Sequence, residues 1–456
     1  MKPNLLAVLS LVAILGLSIA TPAALAGDGA NAYQNDRAVV KLARGASIDE
    51  INSDYDTSVV AAIPSRSMFL LQLPENSDEE GFEMVLEQDP RIEWADLNFQ
   101  DAVPGGSTQS FFFNVASDLF LTQYAFDRVN FGSGQSSTGQ GVVVALLDTG
   151  LDVNHPALLG HIAPSSYNFV DGISSVADLP NGIDDDDDGF IDEMVGHGTF
   201  IAGLVAHIAP DALILPVKVL DSDGSGDSFQ VAQGIYYAME HGATVINLSL
   251  GTTNESQVLA TAVADAHDAG VTVLAAAGNE NQLMPLVYPA ADPHVIGVAS
   301  TTSADLKSDF SNYGTYVTIS APGTDIVSLY PDNQYAQCSG TSAATALVSG
   351  TAVLLKSANL QLTPDQIRFQ LQQSADGIDN LNPPYAGLLG AGRLNVGAAV
   401  ADAMPVIGDL NGDRHVNVAD LLILIGAWAQ PSSPADLNGD GTVNVGDLLM
   451  LLAHWG

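Results

Sequence analysis

The sequence predicts an α/β fold built on a mostly parallel central sheet, with a small α/β unit before it and a short helical repeat after it. Three observations lead there. From Gly141 onward, short Val-rich apolar runs alternate with amphipathic helical stretches, the pattern of a parallel sheet covered on both faces. Residues 27–103 carry shorter strand-like runs around one helical stretch. In residues 404–456 a segment that begins at Asp409 recurs 27 residues later, from Asp436, and each copy runs into an apolar helix that ends in Trp428 or Trp455.

Taken in order, the chain begins Met1-Lys2, followed by an apolar run from Leu5 to about Ala20 and the small-x-small triplet Ala24-Leu25-Ala26. Residues 1–26 thus read as a secretory signal, with a retained membrane anchor as the alternative. No other stretch is long and apolar enough to span a bilayer, so a secreted, extracellular product is expected. In residues 27–103 the runs Ala38–Leu42, Met68–Leu73 and Ile92–Ala95 predict strands, and Glu79–Glu87 predicts a helix. Pro104-Gly105-Gly106-Ser107 marks a linker. In residues 104–403 the expected strands are Val142–Leu147, Leu213–Leu220, Thr244–Leu248, Val271–Ala276 and Val295–Ala299, with helices such as Phe229–His241 and Gln257–Ala269 between them. Sheets of this kind bind ligands at the carboxyl ends of their strands.

Composition excludes several classes. With 456 residues, 47% of them hydrophobic and only 14% charged, the chain can build more than one packed core and is not generally disordered. Its net charge of -40, from 13 Lys+Arg against 53 Asp+Glu, leaves nothing to neutralise phosphates, so nucleic acid is excluded as a partner. Such an excess suits a salty medium or bound calcium, since clustered carboxylates repel without cations among them. The single cysteine, Cys338, rules out an internal disulfide.

Four polar residues stand beside glycines at element ends. Asp148 closes the first sheet strand in Leu147-Asp148-Thr149-Gly150; His197 opens a helical stretch in Gly196-His197-Gly198-Thr199. Asn279 follows a strand in Ala276-Ala277-Gly278-Asn279, where a side-chain amide could donate to a developing oxyanion. Ser342 opens a long small-residue helix in Ser339-Gly340-Thr341-Ser342-Ala343, and a nucleophile there gains from the backbone N–H groups and dipole. Each alone also reads as a turn, a cap or a structural histidine. Together, in the order Asp…His…Ser, they closely resemble the subtilisin-like serine peptidases, the subtilases. The resemblance runs from about Gln140 to Ala401 and includes Asn247-Leu-Ser-Leu-Gly251, Phe310-Ser-Asn-Tyr-Gly314, Ala321-Pro-Gly323 and Gly390-Ala-Gly-Arg-Leu-Asn395.

The resemblance implies a subtilisin-like three-layer fold and endopeptidase hydrolysis of proteins or peptides through an acyl-enzyme. Ser342 would be the nucleophile, His197 its general base and Asp148 the group that orients and charge-stabilises the histidine. Asn279 and the Ser342 N–H would form the oxyanion hole. Ser249-Leu250-Gly251 would pair with an extended substrate as an added strand, Gly224-Ser225-Gly226 would take its other edge, and Ala276-Ala277-Gly278 would line the pocket for the residue before the cut. Two departures stand out: Ala343 replaces the methionine common after the nucleophile, and Phe200 replaces a frequent second histidine. Residues from about 34 to 100 resemble the inhibitory propeptides of subtilases, notably in Ile92-Glu-Trp-Ala-Asp-Leu-Asn-Phe99; an unrelated N-terminal domain is the alternative.

Two regions point to calcium. In Asp184-Asp-Asp-Asp-Asp-Gly-Phe-Ile-Asp-Glu193, Asp184, Asp186 and Asp188 match the opening of an EF-hand loop and Asp192 could supply a further ligand, although the closing carboxylate of that pattern is missing. In the C-terminal repeats the oxygen ligands fall at the loop spacing in both copies: Asp409, Asn411, Asp413, His415 (through its carbonyl), Asn417 and Asp420, then Asp436, Asn438, Asp440, Thr442 (likewise), Asn444 and Asp447. This twin loop-helix resembles a type I dockerin, which implies a cohesin-bearing scaffold or cell-surface partner; a calcium-stabilised tail without a partner is the alternative. A rival for the whole chain is a catalytically inactive subtilase-fold binding protein anchored through that module. A lipase or esterase would need a Gly-x-Ser-x-Gly elbow around the serine, which Ser342 lacks.

Overall fold

The computed structural model describes residues 33–105, 111–113, 115–132, 137–186, 188–403, 407–411, 415–431 and 433–455. The signal expected at 1–26 and the ligand Asp413 lie outside them.

The N-terminal unit is formed by β1 (Tyr33–Leu42), α1 (Ile48–Tyr55), β2 (Ser58–Ile63), β3 (Met68–Gln72), α2 (Glu79–Leu86) and β4 (Ile92–Ala102). Its sheet is antiparallel in the order β2-β3-β1-β4. One face packs a small core of Val40, Ile51, Leu71, Leu86 and Ala95. The short helices α3 (Ser117–Thr122) and α4 (Tyr124–Arg128) follow.

The larger unit begins with β5 (Val143–Asp148), β6 (Tyr167–Asn168), α5 (His197–Ile208), β7 (Leu213–Lys218), β8 (Ser225–Asp227), α6 (Ser228–Glu240), β9 (Val245–Leu248), α7 (Gln257–Asp268) and β10 (Thr272–Ala276). It continues with β11 (Val295–Thr301), β12 (Val317–Pro322), β13 (Ile326–Tyr330), β14 (Gln334–Cys338), α8 (Thr341–Ala358), α9 (Pro364–Ser374) and α10 (Val396–Ala403). Seven strands form a parallel sheet in the order β12-β11-β10-β9-β5-β7-β6.

Strand periodicity sets the layers. Along β5, Val144 and Leu146 face a core that holds Ile201, Leu204, Leu347 and Leu354 of α5 and α8. Ala145 and Leu147 face the opposite core with Phe229, Ile235, Leu259 and Val263 of α6 and α7. Both faces are therefore covered, which is why the strands read as apolar runs rather than alternating ones. Every residue of α8 from Thr341 to Lys356 is buried; its small side chains let it run through the interior. The five expected sheet strands and the two expected helices all form. The sheet's two edge strands, β12 and β6, and the hairpin β13–β14 lie beyond those read from the sequence.

The C-terminal module pairs α11 (Val418–Gly426) with α12 (Val445–Ala453) around Val416, Leu424, Ala435, Val443 and Leu451. Asn417 and Asn444 cap the two helices in matching capping boxes closed by Asp420 and Asp447.

Candidate active site

Asp148 and His197 come from elements far apart in sequence. Asp148 ends β5 at the carboxyl edge of the sheet, and His197 is the first residue of α5. Asp148 Oδ1 lies 2.7 Å from His197 Nδ1 and also accepts the Thr149 N–H at 2.8 Å. Both side chains are 2% exposed, so the pair interacts where water screens it little. His197 Nε2 is buried and makes no hydrogen bond among the described residues. It shares a small cavity with Ser342, Phe200, Cys338 and Ala343. The nucleophile candidate Ser342 stands in the first turn of α8, its Oγ 3.5 Å from the Ser249 carbonyl.

Asn279 is held in one orientation. Its Oδ1 accepts both the Thr341 N–H at 2.9 Å and the Thr341 hydroxyl at 2.8 Å, which turns Nδ2 toward the cleft. There Nδ2 donates to the Pro104 carbonyl at 2.6 Å. Gly278, just before it, has φ +105° and no room for a Cβ, which would meet Asn312 Nδ2 at 2.1 Å.

The cleft holds the chain's own strand. β4 continues along β8, pairing Gln100 with Asp227, Asp101 with Gly226 and Ala102 with Ser225. On its other edge Ala102 exchanges both backbone hydrogen bonds with Gly251, at 3.0 and 2.9 Å, and Val103 donates to the Gly224 carbonyl at 2.9 Å. The segments expected to grip an extended peptide, 224–226 and 249–251, thus both touch residues 100–103. Leu250, Ala276 and Ala277 are buried behind them. Val287 fills the space between the two walls: a Cβ at Gly251 would meet its Cγ1 at 2.7 Å and one at Gly278 its Cγ2 at 3.0 Å.

The strand also reaches the two helices beside the cleft. Asn98 Oδ1 accepts the Phe229 N–H at 3.1 Å and Asp101 Oδ2 the Ser228 hydroxyl at 2.5 Å, both in the first turn of α6. Asp96 Oδ2 accepts the Gln257 N–H, the first of α7, at 2.6 Å. Asn98 and Asp96 thereby satisfy otherwise unpaired helix N–H groups. Burial pushes the carboxyls of Asp96 and Asp101 up to about 7.

A buried set that sequence reading missed ties the loops together. Asp178 Oδ2 accepts the Gly196 N–H at 2.8 Å and the Thr149 hydroxyl at 3.1 Å, and Thr149 Oγ1 accepts the Gly198 N–H at 3.1 Å. Lys218 Nζ donates to the carbonyls of Thr149 at 2.5 Å and Leu220 at 2.8 Å. Burial raises Asp178 to about 7 despite the nearby Lys218 charge. No sequence signal marks Asp178; it stands alone in an irregular loop.

The acidic loop differs from its expected ligand set. Asp184, Asp186 and Asp223 bring carboxylate oxygens within 4.8 Å of one another, as do Asp186, Asp188 and Glu193. Asp192 is not among them. It turns back to accept the N–H groups of Asn181 at 2.7 Å and Gly182 at 3.0 Å. Asp223 enters because its carboxylate accepts the N–H groups of Asp185 and Asp192, which pins the loop against it. Among the described residues both Glu193 oxygens are shut from solvent without a hydrogen-bond partner, and burial first, then Asp188, raises that carboxyl to about 7. An oxygen-rich, uncompensated cluster of this kind fits a hard cation such as calcium.

In the C-terminal loops the acids serve the loop backbone. Asp436 accepts from Asp440 and Gly441 N–H, and Asp440 from Thr442 N–H and the amides of Asn438 and Asn444. Asp447 accepts from Asn438 and Asn444 N–H, and Asp420 from Leu410, Asn411 and Asn417 N–H. The donors Asp409, Asn411, His415 and Asn417 occupy the corresponding places in the first loop.

A buried Asp–His pair, a serine at a helix start and a fixed amide thus stand together beside a strand paired on both edges. Comparison with known proteins identifies the family. The subtilase family model matches residues 139–398 and the dockerin type I domain model matches residues 407–454. The chain belongs to the subtilase family, carries a dockerin type I domain, and is a serine endopeptidase. It is 42% identical over 272 residues to thermitase of Thermoactinomyces vulgaris, covering 58% of this chain and 89% of the relative. It is 32% identical over 399 residues to a thermostable alkaline protease of Halalkalibacterium halodurans, covering 85% and 97%. Among solved structures, fervidolysin from Fervidobacterium pennivorans shares the fold, with TM-score 0.67 at 22% identity over 82% of this chain and 62% of that one. A cold-adapted subtilisin-like serine proteinase gives TM-score 0.53 at 32% identity over 60% and 97%.

Proposed function

We propose that the protein is a secreted, calcium-dependent serine endopeptidase made as a precursor and anchored through its dockerin domain to a cohesin-bearing partner. The observation that carries the reading is the Pro104 carbonyl held 2.6 Å from Asn279 Nδ2 by a strand paired on both edges. That is how a peptide substrate would lie before attack.

In the proposed mechanism Ser342 Oγ attacks the carbonyl carbon of the seated peptide and passes its proton to His197 Nε2, the ring nitrogen that makes no hydrogen bond among the described residues. Asp148, bound to Nδ1 at 2.7 Å, fixes the tautomer and stabilises the imidazolium. Asn279 Nδ2 and the Ser342 N–H hold the oxyanion; loss of one such donor costs about 10²–10³ in kcat. His197 then protonates the leaving amine, and water repeats the sequence on the acyl-enzyme.

Residues 27–103 act as the inhibitory propeptide, capping α6 and α7 and filling the cleft. The cluster of Asp184, Asp186, Asp188, Glu193 and Asp223 would hold calcium close to His197, bracing the loop that leads into α5. Calcium in the two C-terminal loops would supply the charge balance their carboxylates need. The matching exposed rows Val418, Leu422, Ile425, Trp428 and Val445, Leu449, Leu452, Trp455 support a docking role for that module.

The test is casein hydrolysis by the purified protein and by Ser342→Ala, each with calcium and with chelator. Calcium-dependent hydrolysis that Ser342→Ala abolishes is the expected result. A processed parent that leaves casein intact and does not react with a serine-directed fluorophosphonate would overturn the reading and favour an anchored binding protein.

A further inference from the structure

The strand in the cleft ends on an unusual residue. Ala102 and Gly251 exchange both of their backbone hydrogen bonds. In an antiparallel ladder the next such pair lies two residues along on each strand, which sets Pro104 opposite Ser249. Any other amino acid there would donate its N–H to the Ser249 carbonyl. Proline has none. The Ser249 carbonyl instead accepts from the Ser342 hydroxyl at 3.5 Å, and His197 Nε2 stays without a hydrogen bond among the described residues.

Meanwhile the Pro104 carbonyl is the one that Asn279 Nδ2 holds. We infer that the chain cuts itself between Pro104 and Gly105, and that Pro104 makes this cut slow, so that the protein persists as a latent precursor. The inference rests on the peptidase reading above and deepens it.

The step balances without any co-reactant but water. Ser342 Oγ bonds to the Pro104 carbonyl carbon and gives its proton to His197. The Pro104–Gly105 C–N bond breaks, and the Gly105 nitrogen leaves as an amine with that proton. Water then bonds to the same carbon, Ser342 recovers its hydroxyl, and Pro104 is left as a carboxylate. Proline weakens the attack in two ways. It removes one ladder hydrogen bond that would hold the carbonyl in register, and it leaves the Ser249 carbonyl free to draw the nucleophile's hydroxyl away from His197. A hydrogen bond of this kind is worth roughly tenfold in rate. The boundary between precursor segment and peptidase accordingly falls one residue beyond the 103/104 junction expected from the sequence.

The experiment follows the full-length secreted chain, Pro104→Ala, Pro104→Ser and Ser342→Ala by intact-mass and N-terminal analysis over time. The parent should accumulate uncut and then yield a fragment that begins at Gly105. Both proline variants should yield the same new terminus at least about ten times faster, and Ser342→Ala should stay uncut. A first cut at another bond in the parent, which needs no variant to fold, overturns the inference, as does an unchanged rate in both proline variants. Those failures leave fluorophosphonate labelling and casein hydrolysis by the processed parent intact. If those are absent as well, the peptidase reading itself has failed.

Discussion

Propeptide retention should fall as pH rises, because the seam between β4 and the two helices is built on carboxyls that prefer to be neutral. Asp101 is buried against Ser228 with Asp227 alongside; Asp96 is buried at the start of α7 with Glu83 and Glu87 near it. Burial first, then these like charges, pushes both up to about 7. Once released into water each would titrate near 4. The seated strand therefore binds more protons than the free one. Its grip is fully present below about pH 4, is lost as pH climbs through 7, and is level above that. A displacement of that size is worth on the order of 4 kcal/mol per carboxyl. Water entering the seam as charge develops reduces it, and roughly half, or about thirtyfold in affinity per group, is expected.

The assay is gel filtration of the processed but still associated protein between pH 5 and 8.5, with the fraction of propeptide retained as the readout. Asp96→Asn with Asp101→Asn keeps an acceptor for the Gln257 N–H and the Ser228 hydroxyl while removing the charge. That double variant should hold its propeptide equally well at both ends of the range. Equal retention by the parent at pH 5 and 8.5, or a slope that survives in the double variant, would refute the reasoning.

Three further outcomes are expected. Val287→Gly should open the floor between Gly251 and Gly278 and raise the ratio of kcat/KM for Phe over Ala before the cut by tenfold or more, read on a matched peptide series; an unchanged ratio would mean that Val287 does not limit the pocket. Asp223→Asn should weaken calcium binding at least tenfold and lower the calcium-dependent part of Tm by several degrees in calorimetry, whereas Asp192→Asn should leave the calcium affinity close to that of the parent. Dilute peroxide should spare casein hydrolysis, since Ala343 carries no thioether, Met194 beside Gly224 is fully buried and the Cys338 thiol is pushed up to about 12; rapid inactivation would contradict this.

What the sequence made legible and what it hid divide along a physical line. Strands and helices followed from local periodicity, because Val144/Leu146 and Ala145/Leu147 must each find a core. Asp148, His197, Asn279 and Ser342 stood out because each sits in a short motif whose glycines can be read directly. Asp223 did not: it joins the acidic loop only because its carboxylate takes N–H groups from Asp185 and Asp192, residues more than thirty positions away. Asp192 looked like a ligand by spacing, but backbone N–H groups at Asn181 and Gly182 claim its carboxylate. Loop spacing fixes which acids are neighbours, not which backbone groups reach them first.

The same distinction explains why Asp178 matters although nothing announces it. The Asp148–His197 distance depends on two connections, the one after β5 and the one before α5, and neither short motif contains the means to fix the other. Asp178 supplies it from farther back in the connection between β6 and α5, taking the Gly196 N–H with one oxygen while that oxygen also accepts from Thr149, whose hydroxyl in turn takes the Gly198 N–H. Its second oxygen is buried and without a hydrogen bond among the described residues, and the Lys218 ammonium nearby offsets part of that cost. A buried carboxyl kept at this expense is hard to account for by packing alone. It makes sense as the tie that turns two separately folded motifs into one pair held at hydrogen-bonding distance.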